Sequence, residues 1–228
     1  MAASEALAFD MYGTLVDPIG IRKQLERYLS DEALRVAEVW RQKQLEYTFL
    51  LTVMERYEDF EEVTRKALNY ALAAAGQELY QDQKDVLIAQ YNNLERFEDV
   101  EPGLGRLKEA GYPMVVFSNG APHMLAALMD AAGLRSYFQG VVSVDEVKAY
   151  KPSPEVYRHV AGRLERPMGE VRLVSSNPFD SLGARVAGMQ AAWVDRFGGL
   201  FDTLGSPPEV VVETLIDLAD ALEDIQRR

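Results

Sequence analysis

The chain has 228 residues, 48% hydrophobic and 26% charged, enough for one compact α/β domain with an inserted subdomain or for two small domains. Its 36 acidic residues exceed its 24 basic ones by 12, which argues against a general binder of nucleic acid or anionic membrane. There is no cysteine, and His123 and His159 are the only histidines, so disulfides, thiolate nucleophiles, Cys-type zinc sites and three-His cages are excluded and any catalysis has to come mainly from carboxylates, lysine, arginine and hydroxyls.

The N-terminal segment up to Ala6 lacks the basic flank and apolar stretch of a signal peptide, and no apolar run approaches the roughly 18 residues needed to span a bilayer. The expectation is a complete, cytoplasmic chain. Ala6 to Phe9 reads as a short buried strand that ends at Asp10 and runs into a turn at Tyr12-Gly13-Thr14. Residues 20 to 98 show helical periodicity and no convincing strand. Val36, Val39, Trp40, Tyr47, Leu50, Leu51 and Met54 mark one apolar stripe. Arg41 and Leu45 fall within about 40° of each other, roughly opposite that stripe. Further helices are expected near Glu61 to Ala75 and Gln81 to Leu94, and Glu101-Pro102-Gly103 marks the return to the main domain.

Beyond that point, strands at Pro113 to Phe117, Gly140 to Ser143, Val171 to Ser175 and Gln190 to Val194 alternate with helices over Pro122 to Ala132, Pro154 to Leu164, Phe179 to Ala187 and Pro208 to Ile225. Such alternation predicts an α/β fold, a doubly wound parallel sheet covered by helices on both faces. The expected division is a core of residues 1–16 and 99–228 with an inserted helical-bundle cap subdomain over 17–98. No internal repeat, low-complexity tract or basic cluster is present.

Open α/β sheets bind ligands beyond the carboxyl ends of their strands. Here those ends carry Asp10, Ser118-Asn119-Gly120, Lys151-Pro152 and Ser175-Ser176-Asn177, with Asp180 close behind. Taken singly, each has an ordinary reading: Asp10 as a turn cap, Lys151 as a solvated lysine, Ser118 and Ser175 as turn-formers, and Arg41 beside Leu45 as a solvated helix face. Convergence of several polar strand ends on one sheet edge favours a site.

These residues resemble a known family. Phe9-Asp10-Met11-Tyr12-Gly13-Thr14-Leu15 is similar to the first motif of the haloacid dehalogenase (HAD) superfamily. Ser118-Asn119-Gly120, Lys151-Pro152 and Ser175-Ser176-Asn177-Pro178-Phe179-Asp180 are similar to its second, third and fourth. The resemblance implies a HAD-type Rossmann-like core with a helical cap after the first strand. Phosphatases of the superfamily carry Asp-x-Asp in the first motif and an acidic pair near the fourth; this chain has Tyr12 and Ser176 at those places. What remains resembles the L-2-haloacid dehalogenases (type II): a Tyr in the first motif, an Arg-Gln pair as in Arg41-Gln42, and a Ser-x-Asn-x-aromatic-Asp fourth motif. Phe179 stands where Trp is commoner in that subfamily.

The resemblance implies hydrolytic dehalogenation of short (S)-2-haloalkanoic acids to (R)-2-hydroxy acids, with no metal and no cofactor. Asp10 attacks C2 to form an ester with inversion, and a halide leaves without needing a proton. Arg41 and Asn119 stabilise the halide, while Met11, Tyr12, Gln42, Leu45, Phe60 and Phe179 shape the pocket around the carbon–halogen bond. Thr14, Ser118 and Lys151 keep Asp10 ionised and oriented, and Ser118 also receives the substrate carboxylate. Asp180, positioned with Ser175 and Asn177, activates the water that hydrolyses the ester. Tyr157 orients Lys151; the alternative is a half-buried core tyrosine. With a net charge of −12, capture of an anionic substrate falls to Lys151 and Arg41. The implied partners are a small 2-haloacid and a halide ion, with no nucleic acid and no membrane; a homodimer through Tyr47 to Met54 and a monomer both stay open. So do three other readings: a HAD-type small-molecule phosphatase, the same ester mechanism with a non-halide leaving group, and a catalytically idle binding protein.

Overall fold

The computed structural model describes residues 5–227. Six strands, β1 (Ala6–Phe9), β2 (Met114–Ser118), β3 (Gly140–Ser143), β4 (Val171–Ser175), β5 (Gln190–Val194) and β6 (Val210–Val212), form one parallel sheet in the order β3-β2-β1-β4-β5-β6. The three central strands β2, β1 and β4 are buried along their whole length. Their continuous apolar runs, rather than alternation, are what a sheet covered on both faces requires. Strand order reverses between β1 and β4, so the crevice at their carboxyl ends is the place where such a sheet accepts a ligand. Phe9 is level with Val116 on one side and Val174 on the other, which sets Asp10 beside Phe117 and Ser175.

Between β1 and β2 the chain is helical: α1 (Arg22–Leu29), α2 (Ala33–Val53), α3 (Phe60–Ala74), α4 (Gln81–Tyr91) and α5 (Val100–Glu109). Asp59 starts α3 by accepting the Glu62 N–H at 2.9 Å, a side-chain N-cap. The core helices α6 (Pro122–Ala131), α7 (Pro154–Arg163) and α8 (Pro178–Ala187) each begin with proline. At that position the missing N–H costs nothing. α6 and α8 therefore start just past the ends of β2 and β4, and α7 just past Lys151-Pro152, so that the preceding polar residues are left at the sheet edge.

Two expectations need correction. The C-terminal helix does not begin at Pro208: Val210–Val212 pair with β5 as an edge strand, and α9 (Leu215–Arg227) starts only after Thr214. The Thr214 hydroxyl accepts the Asp217 N–H while the Asp217 carboxylate accepts the Thr214 N–H, both at 3.1 Å. This reciprocal cap fixes the helix start. The α2 stripe is buried at Val36 and Trp40 but not at Leu50 and Met54, which are exposed. Its buried face continues instead through Gln44 and Thr48, polar residues whose hydrogen bonds are satisfied inside. Glu101-Pro102-Gly103, at the expected return to the main domain, lies in the first turn of α5, where a Cβ on Gly103 would stand 2.5 Å from Leu215. Only glycine permits that approach of α5 to α9.

Candidate active site

The turn after β1 folds back on itself. Gly13 has φ +89°, a left-handed conformation that favours glycine, and its N–H reaches Val16 O at 2.8 Å. The turn returns the Thr14 hydroxyl to Asp10 Oδ2 at 3.2 Å. The same hydroxyl oxygen accepts the Ser176 N–H at 2.8 Å, so its own proton is free to point at the carboxylate. Across the β1/β4 crevice, Asn177 Nδ2 donates to Asp10 Oδ2 at 2.8 Å and to Tyr12 O at 3.1 Å. Among the described residues Oδ2 thus has two donors, whereas Oδ1 has one, Lys151 Nζ at 3.3 Å.

Lys151 is buried, and its ammonium has three acceptors: Asp10 Oδ1, Phe117 O at 2.8 Å and Asp180 Oδ2 at 2.8 Å. It also lies 4.1 Å from the centre of the Phe117 ring, a favourable place for a desolvated cation. Since an ammonium has three protons, none remains for a substrate anion. This corrects the expectation that Lys151 captures substrate. Asp180 is completely buried and its other oxygen accepts the Tyr157 hydroxyl at 2.8 Å. Burial pushes the Asp180 carboxyl above the ordinary carboxylate range; Asp10 adds to this, and Lys151 and the Tyr157 hydrogen bond oppose it. Burial likewise pushes the Tyr157 hydroxyl well up, so it remains a donor.

Arg41 reaches the crevice from α2. Its Nη2 donates to Tyr12 O at 3.2 Å and its Nη1 to Gln44 Oε1 at 2.8 Å. Among the described residues it has no carboxylate partner. Beneath it the Tyr12 ring packs on Phe60 and Tyr91, with centroids 5.2 and 5.6 Å apart. Burial raises the Tyr12 hydroxyl far above its usual range, so this aromatic wall carries no charge.

The structure brings Asp10, Thr14, Lys151, Asn177, Asp180, Tyr157 and Arg41 into one hydrogen-bonded cluster. Met11, Tyr12 and Phe60 are buried next to it in chain or in space. Asn119 Oδ1 accepts the Lys151 N–H at 3.1 Å, while Leu45 is half-buried one turn beyond Arg41. Phe179 meets Phe49 of α2 edge to face at 5.1 Å. Other placements differ from expectation. Ser118 accepts the Gly120 N–H at 3.1 Å and Ser175 the Asn177 N–H at 3.2 Å; both shape their loops and neither bonds to Asp10 or Asp180. Tyr157 is fully buried and holds Asp180 rather than Lys151 directly. Gln42 is exposed and enters none of these hydrogen bonds; the glutamine beside the guanidinium is Gln44.

Arg196, which the sequence pattern did not single out, donates to Thr14 O through Nε at 3.0 Å and Nη2 at 2.7 Å, and to Asp99 at 2.7 Å. Among the described residues no three His, Cys, Asp or Glu side chains converge as a metal cluster, and no helix is long and apolar enough to cross a membrane.

Residues 5–188 match the family of haloacid dehalogenase-like hydrolases. Among curated relatives, (S)-2-haloacid dehalogenase 2 of Pseudomonas sp. (strain CBS-3) is 33% identical over 97% of each chain. The (S)-2-haloacid dehalogenase of Xanthobacter autotrophicus is 41% identical over 84% of this chain and 75% of its own. The solved structure of L-2-haloacid dehalogenase from Xanthobacter autotrophicus with chloropropionic acid covalently bound superposes with a TM-score of 0.90 at 35% identity, covering 98% of this chain and 99% of that one.

Proposed function

The chain belongs to the haloacid dehalogenase-like hydrolases, and from that membership and the geometry of its site we infer that it hydrolyses short (S)-2-haloalkanoic acids to (R)-2-hydroxy acids through an ester on Asp10. The observation that carries this reading is the pairing of a braced carboxylate with an unneutralised guanidinium at one crevice. Asp10 is held by Thr14, Lys151 and Asn177, and Arg41 is held at the Tyr12 carbonyl, two residues on, and by Gln44, with neutral acceptors only among the described residues.

Asp10 Oδ1, with its single long hydrogen bond, keeps the more available lone pair and attacks C2. The carbon–halogen bond breaks with its electron pair on the halide, which Arg41 and Asn119 stabilise. Oδ2 then becomes the carbonyl oxygen of the ester. When water adds to the Asp10 carbonyl carbon, negative charge develops on Oδ2, where Thr14 and Asn177 already donate. Asp180 takes one proton from that water and returns it to the departing C2 oxygen as the adduct collapses, so the hydroxy acid leaves, and the second water proton passes from the Asp10 carboxyl to solvent, which restores the carboxylate. Lys151, between the two carboxylates, supplies a positive charge to both and opposes the rise that burial imposes on Asp180. Tyr12, Phe60 and Met11 supply an apolar wall that excludes water from the reacting carbon. In this scheme residues 17–98 act as the cap and residues 1–16 and 99–228 as the core.

The test is halide release from each enantiomer of 2-chloropropionate in the presence of EDTA, followed by a single turnover in ¹⁸O water. The expected result is release from the (S) enantiomer only, with label retained in Asp10. Label appearing directly in the product would remove the ester, and hydrolysis of a phosphate ester in its place would return the chain to phosphatase chemistry.

A second copy of the chain is the proposed macromolecular partner. Leu50, Val53 and Met54 are exposed together at the end of α2, an apolar patch that pairing would cover. A monomer by light scattering at micromolar concentration removes this part of the reading.

A further inference from the structure

We propose that Gln44 is a positioning residue for carbon–halogen cleavage: it fixes the Arg41 guanidinium without neutralising it, leaving the full positive charge for the departing halide. The inference rests on the dehalogenation reading above and assigns a role to a residue outside the four sequence motifs.

Gln44 lies one turn beyond Arg41 on α2 and is completely buried. Its Oε1 accepts from Arg41 Nη1 at 2.8 Å and from the Tyr91 hydroxyl at 3.0 Å, and its Nε2 donates to Thr64 Oγ1 at 2.7 Å. The direction of this chain is set at its far end. The Thr64 hydroxyl donates to the Phe60 carbonyl at 2.6 Å, and a carbonyl only accepts. Thr64 therefore has a lone pair, not a proton, for Gln44, and the amide must turn its NH2 group to Thr64 and its oxygen to Arg41. A flipped amide would set its NH2 against the guanidinium. The anchor points are themselves fixed: Trp40 Nε1 donates to Thr64 O at 2.8 Å, and Tyr91 packs against both Trp40 and Tyr12.

With Nη1 on Gln44 and Nη2 on Tyr12 O, both terminal nitrogens are tied and the plane of the fork is determined. Arg41 is half-buried, and an arginine drawn out of water is ordinarily paired with a carboxylate. A carboxylate here would hold Arg41 more firmly but cancel the charge that the halide needs. The neutral amide supplies a charge-assisted hydrogen bond and no charge.

The experiment compares Gln44→Met, similar in size but unable to accept, with Gln44→Glu, equal in size but anionic. The readouts are kcat and KM for (S)-2-chloro- and (S)-2-bromopropionate, inhibition by chloride, and Tm. For Gln44→Met the expected result is a fall in kcat of about tenfold to a hundredfold on the chloro substrate, a smaller fall on the bromo substrate, and little change in KM. Gln44→Glu should lose more, and should weaken chloride inhibition at least about tenfold, recovering as acid protonates the new carboxylate. Equal losses for both leaving groups with unaltered chloride inhibition would mean a merely structural role and overturn the proposal. So would a Gln44→Glu variant as active as the unaltered chain. If these variants fail to fold, Tyr91→Phe removes one donor to the same oxygen and keeps the ring; a chloro-to-bromo rate ratio unchanged in that variant also overturns it. Failure of the unaltered chain to release halide defeats the dehalogenation reading itself, and this role with it.

Discussion

Lys151 Nζ stands 2.8 Å from Asp180 Oδ2 inside a wholly buried site, and the same nitrogen faces Asp10 Oδ1 at 3.3 Å. One cation thus serves two carboxylates that belong to different steps of the reaction. Lys151→Met would leave both carboxylates buried without it, and two such groups cannot both stay ionised at neutral pH. The expected outcome is a fall in kcat of at least about a thousandfold, with stability lower by about 3–5 kcal/mol for a broken buried pair. Urea unfolding and halide release check the two parts separately. Activity within tenfold of the unaltered chain would show that Asp10 does not depend on this lysine.

Asp180 carries a stability cost that can be read from the direction of its shift. Burial, first, and Asp10, second, raise its folded-state value above the ordinary value of about 3.9. A carboxyl raised on folding contributes stability that is fully present below the unfolded value and is lost as pH rises through the folded one. At neutral pH the ionised Asp180 is therefore held against its own burial. Asp180→Asn should then keep or raise Tm at pH 7, since Lys151 still faces Asp10 and Phe117 O, while ester hydrolysis stops. The kinetic signature is a burst of about one halide per chain with no further turnover. In the unaltered chain the acid limb of kcat should lie above about pH 3.9, because only the ionised base accepts the water proton. An acid limb below that value, or steady turnover by Asp180→Asn, would assign the base elsewhere.

Why part of this site can be read from sequence and part cannot follows from chain distance. Asp10, Ser118, Asn119, Ser175 and Asn177 each follow a short apolar run, and a parallel sheet brings all strand ends to one edge, so topology alone places them together. Lys151 comes shortly before Pro154, which starts α7, and Asp180 shortly after Pro178, which starts α8, so both are legible for a similar reason. Gln44 is different. In sequence it is one polar residue among several on an amphipathic helix, and its partners Thr64 and Tyr91 are 20 and 47 residues away. No local pattern marks a polar residue whose burial is made acceptable by distant donors and acceptors. The α2 stripe failed at Leu50 and Met54 for the converse reason, since periodicity defines an apolar face without saying whether anything covers it. Val210–Val212 were absorbed into a helix because three residues give too little alternation to register as a strand.

Arg41 gives a prediction that separates charge from shape. Arg41→Lys keeps a cation, but an ammonium on a shorter stem does not reproduce a planar fork tied at both terminal nitrogens. The expected loss in kcat is about a hundredfold to a thousandfold, the range for removing one preorganised donor from a developing anion. Tm should change by no more than a few degrees, because Arg41 has no ion pair among the described residues. Calorimetry alongside halide release makes the comparison. A large drop in Tm would place Arg41 in the fold rather than in the reaction.

Arg196 makes the opposite prediction, because its charge is used internally. Its side chain is 5% exposed and pairs with Asp99 at 2.7 Å. It lies 4.2 Å from the centre of the Phe97 ring and donates twice to Thr14 O. Asp99 in turn accepts the Leu215 N–H at 2.7 Å, so one guanidinium ties the turn behind Asp10 to the start of α5 and the start of α9. Arg196→Met would leave Asp99 largely buried without its cation and free the carbonyl of the residue whose hydroxyl holds Asp10. The first effect should lower stability by about 3–5 kcal/mol. The second should reduce kcat beyond what unfolding explains, since a loosely held Thr14 no longer directs its proton to Oδ2. Adding Asp99→Asn to Arg196→Met removes the unpaired charge, and stability should then recover in part while kcat stays low. If kcat recovered together with stability, Arg196 would act on the fold alone and the Thr14 carbonyl would need no anchor.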